Sequence, residues 1–191
     1  MKLRTLFVAL AIAVVPMLAM ATDYTYNVNY NFGTFTVNGT ITTDTNSGVL
    51  SSGDIVDWNL VLNDGTQTLT LLGPSSGNNS GSEIVGPDVV ASPTAITYDF
   101  TDPNYDAFIF QNPAVGTGTN YLCYQGVGGG CNDFNGPHIA IEIGSDAVQE
   151  WGEQGVQVIA TAAGTPEPST LALLGAGLAG LLGTFRRKLT Q

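Results

Sequence analysis

Apolar and polar side chains alternate over the first clearly patterned stretch of the chain, residues 24–32. The apolar positions are Tyr24, Tyr26, Val28, Tyr30 and Phe32. The positions between them hold only Thr and Asn. Successive side chains of a β-strand point to opposite faces of a sheet, so this period of two predicts a strand with one buried and one exposed face.

Short segments of the same kind recur along the chain and are separated by turn residues. The further predicted strands cover residues 35–37, 40–42, 58–62, 66–72, 95–100, 105–110, 121–124, 138–143 and 156–161. Asn38-Gly39 predicts a two-residue hairpin, because both central positions of such a turn need positive φ. Asn63-Asp64-Gly65 predicts a second hairpin.

Helical pattern is sparse in the same part of the sequence. One short helical turn is predicted within residues 50–57, and residues 146–154 are predicted to form a helix capped by Ser145. The Gly- and Ser-rich segment 73–82 is predicted to be a loop inside the domain. Short strands with frequent turns predict an all-β domain over residues 22–164, an antiparallel β-sandwich or a jelly-roll-like arrangement.

The first 21 residues have the layout of a secretory signal peptide. Lys2 and Arg4 precede an apolar run over residues 6–18, and Ala19 and Ala21 form the small-x-small pattern that signal peptidase reads. The run is too short to span a bilayer, which argues against the alternative of an uncleaved anchor. We therefore expect export, with cleavage after Ala21.

The C-terminal segment combines a proline-rich triplet, an apolar run and a basic cluster. The triplet covers residues 166–168, the run covers residues 171–185, and Arg186, Arg187 and Lys188 follow. The run would form about 22 Å of helix, which reaches across a bilayer only with help from its polar flanks. The basic cluster is expected to keep this end cytoplasmic and the domain outside.

The order and spacing of these C-terminal parts resemble the PEP-CTERM sorting signal, also known as the ice-binding-protein C-terminal motif. The resemblance implies that Pro166, Glu167 and Pro168 are recognised by an exosortase, a cysteine-type transpeptidase of the inner membrane. This enzyme would remove the tail near the triplet, after transient retention in the inner membrane by the apolar helix and the basic cluster. The resemblance also implies a Gram-negative host with a polysaccharide matrix, and a final location of the protein at the cell surface or in that matrix. A plain single-span anchor is the alternative.

Charge is distributed very unevenly along the chain. Sixteen Asp and Glu against five Lys and Arg give a net charge of −11. The basic residues are Lys2, Arg4, Arg186, Arg187 and Lys188. No fixed positive charge therefore lies between Thr22 and Phe185. A domain without Lys or Arg cannot neutralise phosphates, which excludes nucleic acid as a partner.

The chain has two cysteines, Cys123 and Cys131, and both belong to the exported part. Seven residues separate them, and four of the seven are glycine. In an oxidising compartment this spacing predicts a local disulfide. Metal binding by the pair is the alternative, which lacks the further ligands that a zinc site needs.

Four oxygen-bearing side chains lie within eight residues around a predicted turn. They are Asp99, Asp102, Asn104 and Asp106. Hard cations such as calcium prefer clustered oxygens, so this segment is a candidate calcium site, and no other cofactor is expected. The alternative is that these side chains bond to their own backbone, as Asp and Asn commonly do in turns.

We expect a non-catalytic surface or matrix protein that associates with extracellular polysaccharide through aromatic and amide-rich faces. The chain has one histidine, no Gly-x-Ser-x-Gly elbow and no phosphate-loop lysine, which argues against several enzyme classes. The alternative is a secreted carbohydrate-active hydrolase that uses a carboxylate pair, Glu142 with Glu150 or Glu153. Two carboxylates about 5–10 Å apart across a cleft would favour the hydrolase.

Overall fold

A computed structural model of the protein describes residues 22–131, 136–151 and 155–164. These residues form thirteen strands and one 3₁₀ turn, Ser52–Asp54, with no α-helix among them. The strands are β1 Tyr24–Asn31, β2 Thr36–Thr43, β3 Gly48–Val49, β4 Ile55–Asn63, β5 Thr68–Leu72, β6 Gly81–Val85, β7 Val89–Ala91, β8 Ala95–Asp99, β9 Ala107–Asn112, β10 Asn120–Gln125, β11 His138–Ile143, β12 Asp146–Trp151 and β13 Val156–Ala162.

The strands form two antiparallel sheets, which confirms the predicted all-β class. Sheet A has the order β3-β7-β8-β13-β1-β2-β4-β5, and sheet B has the order β12-β11-β10-β9-β6. The chain crosses between the sheets four times, from β5 to β6, β6 to β7, β8 to β9 and β12 to β13. Two of these crossovers carry the acidic residues discussed below.

The sheets pack face to face over one apolar core. In β1, Tyr26 and Val28 are buried while Thr25, Asn27 and Asn29 are exposed, as the alternating pattern predicts. The main core cluster takes its members from strands of both sheets. The two sheets therefore form a sandwich with a shared hydrophobic interior.

Aromatic side chains make much of the contact between the sheets. The ring centroids of Trp58 and Phe110 lie 5.4 Å apart, and Tyr124 of sheet B lies 6.2 Å from Tyr98 and from Tyr30 of sheet A. Such aromatic pairs contribute about 0.5–1.5 kcal/mol each beyond their area burial. The Trp58 indole nitrogen also donates a buried 2.9 Å hydrogen bond to Ser80.

Sheet B is buried on both faces along β9, β10 and β11. Its outer face has a second apolar cluster of Ile109, Tyr121, Cys123 and Ala140, against which Val115 and Cys131 pack. Strands buried on both sides read as continuous apolar runs, and residues 107–110 do so. The outer face of sheet A, in contrast, is polar along β1 and β2, and on β3, β7 and β13 it exposes Val49, Val90, Val156 and Val158.

The predicted hairpin at Asn38-Gly39 is wrong. Both residues lie inside β2, which pairs without interruption with β1 and with β4 at this point. Gly39 has φ +146°, and a β-carbon there would overlap the carbonyl group of Asn59. The glycine thus allows two central strands to approach closely. The dipeptide Asn-Gly alone does not distinguish this use of glycine from its use in a hairpin turn.

The predicted helix over residues 146–154 is also wrong where the chain is described. Residues Asp146–Trp151 form β12, which pairs with β11 after a tight turn at Gly144 and Ser145. Val148 packs against the core from this strand. Pairing and burial outweigh the weak helical preference of the local sequence.

Other predicted elements are confirmed with small shifts of their ends. The second hairpin turns at Asn63-Asp64-Gly65, where the Asn63 carboxamide oxygen accepts a 2.7 Å hydrogen bond from the Gly65 amide. The strands β3, β6, β7 and β12 were not predicted. No helix within the described ranges is long and apolar enough to cross a bilayer. The predicted signal peptide and tail helix lie outside the described residues.

The close approach at Gly39 predicts a large effect of a small substitution. Gly39→Ala places a methyl group against the Asn59 carbonyl and should lower the free energy of unfolding by about 2–4 kcal/mol. Urea denaturation of both proteins measures the difference. Gly53→Ala is the matched control, because its β-carbon would find only the Ser51 hydroxyl at 3.8 Å. A loss below about 1 kcal/mol at Gly39 would contradict the described register.

Candidate functional site

Three carboxylates converge where two crossovers between the sheets run side by side. Asp88 lies on the segment from β6 to β7, and Asp102 and Asp106 lie on the segment from β8 to β9. Each residue offers one carboxylate oxygen, and these three oxygens all lie within 4.8 Å of one another. We refer to Asp88, Asp102 and Asp106 as the acidic cluster.

Backbone contacts hold the two segments of the acidic cluster in place. The Asp99 amide donates a 3.1 Å hydrogen bond to the Asp88 carbonyl, and the Asp106 amide donates one of 3.1 Å to Gly129. Gly86, with φ +84°, lies directly against the Asp106 carboxylate, where a β-carbon would overlap Oδ1. Both the positive φ and the lack of space require glycine at this position.

Two members of the acidic cluster are buried with unmet hydrogen-bonding capacity. Asp88 is 6% exposed and Asp106 is 1% exposed, and Oδ2 of each has no hydrogen-bond partner in the described part of the chain. Buried polar atoms are nearly always paired, so these two carboxylate oxygens call for a ligand or a proton.

The electrostatics of the buried pair, Asp88 and Asp106, favour a protonated carboxyl. Burial, and then the charge of Asp106, raise the pKa of Asp88 to about 7. Burial also raises the pKa of Asp106, against the effect of its hydrogen bond with Asp88. The pKa of the Tyr98 phenol is raised by burial and by the charges of Asp88 and Asp106. When no cation is present, a proton on Asp88 that bonds to Asp106 relieves this repulsion.

Of the four predicted calcium ligands, the structure brings together Asp102 and Asp106. Asp99 instead accepts hydrogen bonds from the Thr101 amide and hydroxyl at 2.9 and 2.6 Å, which lowers its pKa. Asn104 donates from its backbone and its side chain to Asp102 at 2.8 and 2.5 Å. These two residues therefore make the local turn contacts that were the alternative interpretation.

Asp88 is the member of the acidic cluster that the sequence did not indicate. It lies 14 positions before Asp102 and next to no other oxygen ligand in the sequence. The one local signal is Gly86-Pro87, a turn pair directly before it. Only the pairing of β7 with β8 brings Asp88 beside the segment from β8 to β9.

A disulfide-closed loop covers the segment that carries Asp102 and Asp106. Cys123 and Cys131 form the predicted disulfide, with their Cα atoms 6.2 Å apart. The backbone at Gly128 lies so close to the Asn104 carbonyl that a β-carbon would overlap it. The Tyr105 hydroxyl donates a 3.1 Å hydrogen bond to Gly130. The disulfide loop is thus part of the wall around the acidic cluster.

A separate shallow cleft of about 270 Å³ lies on sheet A between β1 and β13. It is lined by Asn27, Asn29, Tyr30, Val158, Ile159, Ala160 and Thr161. Next to the cleft, one row of uncharged polar side chains crosses the four neighbouring strands β13, β1, β2 and β4. The row consists of the paired residues Thr161, Asn27, Thr40 and Asn59. We call the cleft and this row the amide face.

Glu142 and Glu150, one of the two pairs considered for a hydrolase, do not occupy paired positions of β11 and β12. Glu142 pairs with Ala147, whereas Glu150 pairs with Ile139. Positions along a strand alternate between the two faces of a sheet, and positions 139 and 142 of β11 are three apart. The positions of Glu142 and of Glu150, the partner of Ile139, therefore belong to opposite faces. Glu153 lies outside the described residues.

Comparison with known protein families identifies the C-terminal segment. Residues 165–188 match the PEP-CTERM protein-sorting motif. The tail is a PEP-CTERM sorting signal. The PEP-CTERM motif contains every residue that the sequence assigned to sorting, from Pro166 to Lys188, and it indicates an exported protein that an exosortase processes. No curated protein and no solved structure matches the chain.

The raised pKa of Asp88 predicts a pH dependence of stability when divalent cations are removed with EDTA. Because the pKa of Asp88 is about 7 in the folded protein and 3.8 as a free side chain, its contribution to stability is complete below pH 3.8 and is lost as the pH rises through 7. The melting temperature should fall by about 5 °C between pH 5 and pH 8 on this account.

Asp88→Asn isolates this contribution, because the amide can donate to Asp106 at every pH. Burial lowers the pKa of His138, which makes stability rise with pH near 6.5 in both proteins and cancels in the comparison. The difference in melting temperature between Asp88→Asn and the wild type should therefore grow from pH 5 to pH 8. A constant difference over that range would contradict the pKa of about 7.

Proposed function

We propose that the chain is a non-catalytic protein of the cell surface or extracellular matrix, whose domain associates with a neutral polysaccharide. The observation that carries the location is the PEP-CTERM motif at residues 165–188. The motif addresses the protein to the outside of the cell and says nothing about what the domain binds. The chemistry of the amide face therefore indicates the class of ligand.

The amide face presents hydrogen-bonding groups that can recognise the hydroxyls of a sugar. The carboxamides of Asn27 and Asn29 are exposed, and each can donate to and accept from sugar hydroxyls. Tyr30 also lines the cleft, but its position in β1 alternates with those of Asn27 and Asn29, and its ring packs towards Tyr124 of sheet B, with centroids 6.2 Å apart. The groups that the amide face offers to a sugar are therefore the amides and hydroxyls of its polar row, which can bond to the hydroxyls of the ligand.

Charge supports a neutral ligand over an anionic one. Between Thr22 and Phe185 the chain has no Lys or Arg, and fifteen of its sixteen acidic residues precede the PEP-CTERM motif. An anionic polymer would be repelled by this field, whereas hydrogen bonds to a neutral polymer are not affected by net charge. The row across sheet A is uncharged, which matches a neutral polymer.

Two observations favour a binding role over the hydrolase. Glu142 and Glu150 occupy positions on opposite faces of sheet B. The carboxylates that do lie close together, Asp88 and Asp106, are almost fully buried, so a sugar chain cannot reach them. The amide face has no carboxylate among the residues that line its cleft.

The sorting part of the proposal predicts the mass of the mature protein. In a host with an exosortase, protein extracted from the surface should lack everything after about Pro168. Neutralising Arg186, Arg187 and Lys188 to Gln should weaken retention in the inner membrane, because the positive cluster holds that end in the cytoplasm. Intact-mass spectrometry of surface and membrane fractions measures both effects.

Glu167→Ala separates recognition from retention in the same experiment. It alters the triplet but keeps the basic cluster, so the uncleaved protein should accumulate in the inner membrane. If the wild-type protein extracted from the cell surface still contained residues 186–188, this result would contradict processing by an exosortase.

The binding part of the proposal predicts an effect of charge on the amide face. Asn27→Asp with Asn29→Asp replaces two exposed amides by carboxylates of the same size and removes their donors. Binding to protein-free exopolysaccharide from the host matrix should weaken by about tenfold, which corresponds to about 1.4 kcal/mol. Co-sedimentation with the insoluble polysaccharide measures the affinity.

The matched control adds charge away from the amide face. Ser145 is exposed in the turn between β11 and β12 of sheet B, and Ser145→Asp should leave binding unchanged. Release of reducing ends from the same polysaccharide, lost in Glu142→Gln, would contradict the non-catalytic proposal and support the hydrolase.

A further inference from the structure

We propose that the acidic cluster of Asp88, Asp102 and Asp106 binds one calcium ion, which joins two crossovers between the sheets. This inference concerns the domain alone and does not rest on the polysaccharide-binding proposal. It moves the predicted calcium site from a single turn to two segments that the fold brings together.

The donor set has the chemistry and size of a calcium site. All three ligand groups are carboxylates, and oxygen is the ligand atom that calcium selects. Two oxygens bound to one calcium ion at 2.3–2.6 Å are at most about 5 Å apart. The three oxygens of the acidic cluster all lie within 4.8 Å of one another, so one ion can contact all three.

The buried unpaired oxygens are a separate indication of a ligand. Oδ2 of Asp88 and Oδ2 of Asp106 belong to side chains that are at least nine-tenths buried, and neither accepts a hydrogen bond from an N–H or O–H group in the described ranges. Without a cation, the two carboxyls can pair only by sharing a proton. The turn contacts of Asp99 and Asn104 leave these two atoms unused. One cation can bind several carboxylate oxygens at once, whereas a single N–H or O–H group cannot.

Side-chain cations cannot fill this role, because no Lys or Arg occurs between Thr22 and Phe185. The counter-charge must come from solvent, as a proton or as a metal ion. Asp102 is only half-buried and gives an ion a path to the buried pair. Water can complete the coordination on that side.

The position of the acidic cluster determines what the ion would do. Asp88 lies between β6 of sheet B and β7 of sheet A, and Asp102 and Asp106 lie between β8 of sheet A and β9 of sheet B. An ion bound to all three would cross-link two connections between the sheets at one end of the sandwich. Calcium should therefore stabilise the folded domain rather than act in chemistry.

The test uses the full chain after removal of divalent cations with EDTA. Calcium chloride at 1 mM should raise the melting temperature by about 5 °C or more, and calorimetric titration should give one site. Sodium chloride of matched ionic strength measures screening of the fifteen acidic residues before the tail. A calcium response no larger than that of sodium chloride would overturn the proposal, and so would an equal response to 1 mM magnesium chloride.

Variants tie the response to the named residues. Asp106→Asn should weaken calcium binding at least tenfold, and without calcium it should melt no lower than the wild type, because it removes a buried charge beside Asp88. Asp99→Asn is the matched control, since Asp99 is the last residue of β8, directly before this segment, and the amide oxygen of Asn can still accept from Thr101. It should retain the full calcium response. An unchanged response in Asp106→Asn, or an equal loss in Asp99→Asn, would overturn the proposal.

Asp102→Asn provides a second variant in case Asp106→Asn does not fold. Asp102 is half-buried, so its substitution changes the core least, and its Oδ1 contacts with Asn104 can persist in the amide. It should also weaken calcium binding by about tenfold. Wild-type affinity in Asp102→Asn would contradict its place in the site.

Discussion

The domain has to fold and bury carboxylates without any fixed positive charge of its own. From Thr22 to Phe185 there is no Lys or Arg, so ion pairs with these residues cannot compensate buried acids. Most carboxylates avoid the problem by remaining at the surface or by bonding to turn amides, as Asp64 and Asp99 do. The acidic cluster is the exception among the described residues. Its buried members depend on a proton or a cation from solvent, which makes the junction between the sheets sensitive to the medium.

Apolar packing and neutral hydrogen bonds supply the cohesion that ion pairs do not. The inner faces of the sheets interlock through aromatic rings such as Trp58, Phe110 and Tyr124. Sheet B is covered on its outer face as well, by the disulfide loop and by residues near Val115. This asymmetry leaves the outer face of sheet A as the broad exposed strand surface, with hydroxyls and amides on β1 and β2 and exposed valines on β3, β7 and β13.

The sorting signal and the β-sandwich domain are separate parts of this protein. The PEP-CTERM motif occupies residues 165–188 and indicates export and exosortase processing. The domain before it contains a disulfide, which suits an oxidising compartment outside the cytoplasm. What the domain recognises is a property of its faces, and the sorting motif does not determine it.

Features that depend only on neighbouring residues could be predicted from the sequence. The alternation in residues 24–32 predicted a half-buried strand, and the seven-residue spacing between Cys123 and Cys131 predicted a local disulfide. The sorting signal was also readable, because its recognition depends on the order of residues at one end. Each of these signals is complete within a short segment, so no tertiary contact was needed to interpret it.

Tertiary structure decided the features that depend on partners far along the chain. Asn38-Gly39 became part of a central strand because β2 has neighbours on both sides, and Asp146–Trp151 became a strand because β11 was available for pairing. The acidic cluster needed Asp88, whose approach to Asp102 and Asp106 follows from the pairing of β7 with β8. Local propensities differ by about 1 kcal/mol or less, and pairing and burial across the sandwich exceed that difference.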